Sequence, residues 1–220
     1  MQISLTTRDD HTLDAYITGP EDAHHSIVVL QEIFGVNSHI RHVADTFAVL
    51  GYRVICPALF DRVERKVELG YEADDVQRGR QLRDKIPQAQ TLLDIEAAAA
   101  ALPRNGKIGI VGYCWGGTIA WLAACRSEQF AAASCWYGAG IVQTKDETPR
   151  IPVQMHFGVK DSSIPMEDVE AIRAAQPDAE IHTYEGAGHG FGCEQRESYH
   201  ADSAHLAQER TLAFFERHLA

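Results

Sequence analysis

The sequence predicts an α/β fold: a mainly parallel sheet with helices on both faces. Three observations carry that expectation. Short apolar runs of strand length alternate with longer segments of helical spacing, the pattern of strand–helix–strand units. The runs at 26–30 and 107–111 are nearly continuous in apolar residues, as strands buried on both faces require. Four side chains able to do chemistry, Glu32, Cys114, Asp161 and His189, each follow a predicted strand, and the carboxyl ends of strands are where such sheets hold their sites.

Taken in order, residues 2–7 and 12–18 alternate weakly around a polar turn at Arg8, Asp9 and Asp10, which predicts an antiparallel hairpin ending at Gly19 and Pro20. A strand at 26–30 runs into Gln31-Glu32-Ile33-Phe34-Gly35-Val36-Asn37. Ile40, Val43, Ala44, Phe47 and Leu50 give a helix over 38–50 that stops at Gly51. The strand 52–57 ends at Pro57, and the charged, irregular stretch 59–70 reads as a loop or mobile segment. Helices are expected over 71–86 and 88–102, separated by Pro87 and closed by Pro103 and Gly106. Strands at 107–111, 131–137, 153–157 and 180–184 alternate with helices at 118–125, 166–175 and 198–219, the last with Ala201, Ala204, Leu206, Leu212, Phe214 and Phe215 as its apolar positions. With 220 residues and no repeat, low-complexity stretch or linker, one domain spanning 1–220 is expected.

Composition excludes several function classes. The net charge of −11 disfavours nucleic acid and anionic membrane surfaces, which attract basic patches. No run approaches the roughly 18 apolar residues of a membrane span, and the first ten residues lack the basic-then-apolar layout of a signal peptide. Five scattered cysteines without a C-x-x-C pair suit reduced thiols, so a cytoplasmic protein is expected.

The stretch Gly112-Tyr113-Cys114-Trp115-Gly116-Gly117 stands between a predicted strand and a predicted helix. It matches the G-x-S-x-G nucleophile elbow of α/β-hydrolases with cysteine in place of serine. The glycines permit a tight turn, and the helix N-terminus behind it stabilises a thiolate and offers amides to an oxyanion. The alternative is a glycine-rich turn around a buried structural cysteine. A thiol nucleophile needs a base, and the base needs an acid to fix its tautomer. Asp161, on the loop after 153–157, and His189, between Gly188 and Gly190, follow Cys114 in the chain order of α/β-hydrolase triads. Singly, Asp161 would also serve as a turn or cap residue and His189 as an exposed loop histidine; the conjunction favours the triad. Glu32 is either a surface loop glutamate or a carboxylate placed at a strand end for use.

His39 and His42 have i, i+3 spacing compatible with a metal site, but no third ligand is evident and surface positions explain them better. His24, His25, His200 and His205 read as surface. Cys125, Cys135, Trp121 and Trp136 are expected in the core, Cys56 at a strand end near the site as a second, non-catalytic thiol, and Trp115 in the pocket wall.

With these residues in place the chain resembles the dienelactone hydrolases over nearly its whole length. The resemblance rests on Gln31 to Asn37, on Gly112 to Gly117, on Asp161, and on Gly188-His189-Gly190-Phe191. It implies a monomeric cytoplasmic enzyme, without cofactor or metal, that opens lactones such as dienelactone to maleylacetate in chloroaromatic breakdown. It implies Cys114 as nucleophile, His189 as base, Asp161 as its orienting acid, and Glu32 as a carboxylate held away at rest that swings to the thiol when substrate binds. Ile33 and Trp115 would supply the oxyanion hole through their amides. Phe34, Tyr137 and Phe191 are expected in the substrate pocket. The family's carboxylate-binding arginine four residues after the histidine is Cys193 here; Arg196 substitutes only if the loop bends back. The second arginine corresponds to Arg78 or Arg80. The sequence thus predicts a small-molecule ester or lactone hydrolase. The alternatives are a small-ester hydrolase that does not accept dienelactone, a redox-sensing or ligand-binding homologue using Cys114 as a sensor thiol, and a peptidase-like thiol hydrolase, for which no peptide-binding feature is evident.

Overall fold

The structure, a computed structural model, describes all 220 residues. It contains the strands β1 (Gln2–Thr6), β2 (Thr12–Thr18), β3 (Ser26–Leu30), β4 (Arg53–Pro57), β5 (Ile108–Tyr113), β6 (Ala132–Trp136), β7 (Val153–Gly158) and β8 (Glu180–Tyr184). The helices are α1 (Ser38–Val49), α2 (Ala73–Arg83), α3 (Gln88–Ala100), α4 (Trp115–Arg126), α5 (Met166–Ala175) and α6 (Ala201–Leu219). The eight strands form one sheet in the order β1-β2-β4-β3-β5-β6-β7-β8. The N-terminal hairpin β1–β2 is antiparallel and attaches antiparallel to β4; every other pairing is parallel. This is the predicted α/β-hydrolase architecture.

After β3 the chain adds β4 on one side and β5 on the other. The order therefore reverses between β3 and β5, and a crevice opens at their carboxyl ends. β3, β6 and β7 are buried along their whole length, which explains their apolar runs. On one face α1 and α6 meet through Phe47 and Phe215, whose rings are 6.2 Å apart edge to face. Each is fully buried and contributes about 1.5–3 kcal/mol by burial. On the other face α4 is buried through nearly its entire length and packs with α3. Trp121, Trp136, Cys125 and Cys135 lie in this core as expected. No helix is long and apolar enough to cross a membrane.

Three differences from the sequence reading matter. β5 runs on through Gly112 to Tyr113, pairing with Cys135 and Trp136, so a single residue separates strand from helix. The stretch 59–70 is anchored: Leu59–Arg62 is a 3₁₀ turn, Gly35 bridges to Glu68, and Arg62 chelates the fully buried Asp94 at 2.8–3.0 Å. It forms a second apolar cluster of Ile33, Phe34, Phe60, Val67, Leu82 and Ile86 over the crevice. Finally, α6 starts at Ala201 because His200, read as a surface residue, caps it by accepting from the Ser203 amide. The buried stripe of α6 is Ala207, Thr211, Phe214, Phe215 and Leu219; Leu206 faces solvent.

Candidate active site

Cys114 is the one residue between β5 and α4, with φ +54° and ψ −114°. A non-glycine residue in that region costs on the order of 1–3 kcal/mol, so the surroundings must hold it. The Cys114 amide donates to the Trp136 carbonyl at 3.0 Å, and the Gly116 amide donates to the Gln31 carbonyl at 3.1 Å. A side chain at Gly112 would collide with the Gly116 carbonyl, and one at Gly116 would lie 2.6 Å from the carbonyls of Leu30 and Gln31. The glycines therefore let α4 start hard against the ends of β3 and β5. Trp115 is the first residue of α4, so its amide has no acceptor within the helix.

His189 and Asp161 close on this turn from β8 and β7. The Cys114 sulfur lies 3.2 Å from His189 Nε2, and His189 Nδ1 lies 2.7 Å from Asp161 Oδ2. Asp161 also accepts from the Ser163 amide at 2.8 Å through Oδ1. The turn-forming and histidine-orienting roles, alternatives in the sequence, are filled by the two oxygens of one carboxylate. Burial opposes a charge on His189, but the Cys114 sulfur and the Asp161 carboxylate outweigh it and push the ring up to about 10. The His189 carbonyl accepts from Ser198 Oγ at 2.7 Å, which fixes the loop; nothing in the sequence marks Ser198.

Glu32 is buried at 1% exposure. Its Oε1 accepts from Arg196 Nη1 at 3.1 Å, while Oε2 has no partner. Burial raises its carboxyl above the ordinary range, against the pull of Arg196 and His189. The loop after His189 does bend back: successive turns at Cys193, Arg196 and Tyr199 carry Arg196 inward, and its guanidinium lies 5.5 Å over the Phe34 ring. Gly190, at φ +77°, makes this possible, since a Cβ there would strike the guanidinium. Gln31 enters the sequence reading only as part of the Gln31–Asn37 motif, with no role of its own. Fully buried, it accepts from the Leu59 amide at 3.1 Å and donates to the Glu32 carbonyl at 3.2 Å, tying the segment to the 3₁₀ turn.

A cavity of about 600 Å³ opens on Cys114 and His189 and is lined by Ile33, Phe34, Arg80, Trp115, Ser163 and Arg196 among others. Trp115 stacks on Phe60 at 5.4 Å, which orients this wall. Gly79 allows α2 to pack directly on the Ile33 carbonyl. Of the two candidate arginines, Arg80 lines the cavity and joins no ion pair, whereas Arg78 points away and pairs with Glu64 at 2.6 Å. Tyr137 and Phe191 do not line the cavity. They are fully buried behind His189, with the Tyr137 ring 5.4 Å from the imidazole and Phe191 stacked on Trp136 at 5.6 Å. Both were expected in the pocket; packing takes them into the wall behind it. Cys56 is sealed inside β4, its thiol raised by burial. His39 is not at the surface: it is 2% exposed, and burial pushes its ring down to about 4.

The dienelactone hydrolase family model matches residues 13–219. A carboxymethylenebutenolidase of Pseudomonas putida is 33% identical over 229 residues, covering 96% of this chain and 94% of that one. A Synechocystis protein provisionally given the same name is 39% identical over 212 residues, covering 88% and 86%. Among solved structures, a Klebsiella pneumoniae protein provisionally described as a dienelactone hydrolase superposes with a TM-score of 0.84 at 33% identity, over 99% of this chain and all of that one. An elbow at the β3–β5 crevice, a sheet of this order and these likenesses agree: the chain belongs to the dienelactone hydrolase family and is a carboxylic ester hydrolase of the α/β-hydrolase fold.

Proposed function

We propose that this chain hydrolyses a small carboxylic ester or lactone through an acyl-enzyme on Cys114. The observation that carries the reading is the line of contacts Cys114–His189–Asp161, 3.2 and 2.7 Å, at one end of the cavity. The Cys114 thiolate attacks the acyl carbon, and the oxyanion is received by the amides of Trp115 and Ile33. The carbon–oxygen bond to the leaving alkoxide or enolate breaks as His189 donates its proton. Water, giving a proton to His189, then attacks the thioester and releases the acid and the thiol. Asp161 holds the ring with Nε2 towards sulfur throughout. Arg80 and Arg196 on the cavity wall support a substrate that carries a carboxylate, since guanidinium pairs are the strong recognition elements for such groups. A substrate carboxylate that takes Arg196 releases Glu32 to turn to the thiol and relay the Cys114 proton to His189, which then gives it to the leaving group. Five free thiols support a reducing, cytoplasmic setting for the enzyme, which we take to act as a monomer. Steady-state hydrolysis of dienelactone, a neutral lactone and a small aryl ester by the native protein and Cys114→Ala tests the reading. Loss of all three activities in the variant is expected; unchanged turnover would overturn it.

A further inference from the structure

Three buried side chains from separate segments converge behind this site. Glu32 follows β3, His39 is the second residue of α1, and Cys193 lies in the turn after His189. One ligand-capable atom of each lies within 4.8 Å of the other two. Neither ring nitrogen of His39 has a hydrogen-bond partner, and neither does Glu32 Oε2. Buried polar atoms are almost always paired. In a neutral imidazole one ring nitrogen carries a lone pair and the other an N–H, so two unpaired lone-pair carriers, one His39 nitrogen and Glu32 Oε2, lie beside a free thiol, while Arg196 is engaged on the far oxygen of the carboxylate. A partner that accepts electron pairs satisfies both of these lone pairs at once.

We infer that Glu32, His39 and Cys193 bind one zinc-like divalent transition-metal ion. A thiolate, an imidazole and a carboxylate form a borderline-soft donor set suited to Zn²⁺ or Co²⁺; Mg²⁺ and Ca²⁺ call for oxygen alone. With metal–ligand bonds of about 2.0–2.3 Å, tetrahedral donors stand roughly 3.3–3.8 Å apart. The three atoms need to close by about 1–1.5 Å from their 4.8 Å limit, within reach of side-chain rotation. Binding forms the metal–sulfur bond and releases the Cys193 thiol proton to solvent, with no change of oxidation state. Two anionic ligands offset the dication, so the occupied site is itself neutral; with Glu32 already ionised on Arg196, exchanging one thiol proton for the dication adds one positive charge there. A hollow of about 230 Å³, lined by His39, His42, Gly192 and Glu194 among others, gives an entry path on the side away from Cys114. The fourth coordination position falls to water. An ion on Oε2 pins Glu32 away from the thiol and holds the site at rest; that consequence rests on the proposed role of Glu32, whereas the binding site does not.

Co²⁺ added to chelator-stripped protein reads thiolate ligation directly through a near-ultraviolet sulfur-to-cobalt band. One Co²⁺ per chain is expected, displaced by Zn²⁺, with the band kept in Cys114→Ser and lost in Cys193→Ser. Zn²⁺ affinity, by competition with a chromophoric chelator, should fall in His39→Leu and Cys193→Ser by more than the roughly 10–100-fold that loss of an outer-sphere partner costs. Glu32→Gln supplies the same comparison should either of those variants fail to fold by circular dichroism. No band at millimolar Co²⁺ in native and Cys114→Ser protein overturns the inference. So does a band that vanishes in Cys114→Ser and persists in Cys193→Ser, which would place the metal on Cys114 and His189.

Discussion

Replacing Arg196 with methionine removes the only ion-pair partner of a carboxylate that is 1% exposed. Leaving a buried charge without its partner destabilises by about 3–5 kcal/mol, a large part of a total near 5–15 kcal/mol. For a chain of this size, at roughly 2–4 °C per kcal/mol, the melting temperature should fall by about 6–20 °C. The pH dependence separates charge from packing. Burial already raises the Glu32 carboxyl and Arg196 lowers it, so losing Arg196 raises it further. The folded state then holds the proton more tightly than the unfolded chain, whose glutamates titrate near ~4.3. A raised acid costs stability as pH rises: the deficit is absent below the unfolded value, where both states are protonated. It grows by up to about 1.4 kcal/mol per pH unit until the folded-state value is passed. Urea unfolding followed by tryptophan fluorescence at pH 5 and pH 8 should show the larger deficit at pH 8. Glu32→Gln added to Arg196→Met should recover most of it. An equal deficit at both pH values, untouched by Glu32→Gln, would refute the charge argument and assign the loss to the guanidinium packed 5.5 Å over Phe34.

Asp161→Asn leaves the His189 ring without its anionic anchor at Nδ1; turnover should drop by on the order of 10⁴-fold, as for the triads of other hydrolases, and a fall of less than about tenfold in steady-state kinetics would count against the triad. Gly190→Ala forces a Cβ into the Arg196 guanidinium at φ +77°, and a loss of about 1–3 kcal/mol is expected in urea unfolding. Arg80→Met should raise the KM of an anionic lactone by about 10–150-fold, the value of one charge-assisted hydrogen bond, and leave a neutral ester unaffected. Arg78→Met, outside the cavity, should change neither.

Strand and helix order was legible because fully buried strands demand uninterrupted apolar runs, and β3, β6 and β7 are of that kind. Boundaries failed where one atom decides. Gly112 reads as a strand breaker, yet it stays in β5 because only a missing Cβ lets the Gly116 carbonyl approach. His200 looked solvated because capping by an imidazole leaves no periodic signature. Cys114, Asp161 and His189 were legible through their types, order and strand ends. Gln31 was legible only within its motif, Arg196 only as a conditional replacement arginine, and Ser198 not at all; all three act through hydrogen bonds between distant segments, which no spacing rule encodes. Tyr137 and Phe191 mislead for a related reason: position after a strand or beside a motif does not say which side of a histidine an aromatic ring takes.

The register of β3 against β5 pairs Leu30 with Gly112. Glu32 and Cys114 each follow two residues further on, at adjacent strand ends, which is the placement our proposal needs for the carboxylate to turn towards the sulfur. At rest that carboxylate is on Arg196 instead. If a carboxylate ligand releases it, an alkylating agent that carries a carboxylate should activate its own target. Iodoacetate should then inactivate Cys114 with a higher saturating rate constant than neutral iodoacetamide, and Glu32→Gln should abolish the difference by removing the base. Attraction to Arg196 alone would lower only the concentration needed for saturation and would survive in the variant. A preference in saturating rate that persists in Glu32→Gln therefore separates simple ion pairing from substrate-triggered deprotonation, and would leave His189 as the sole base for the thiol.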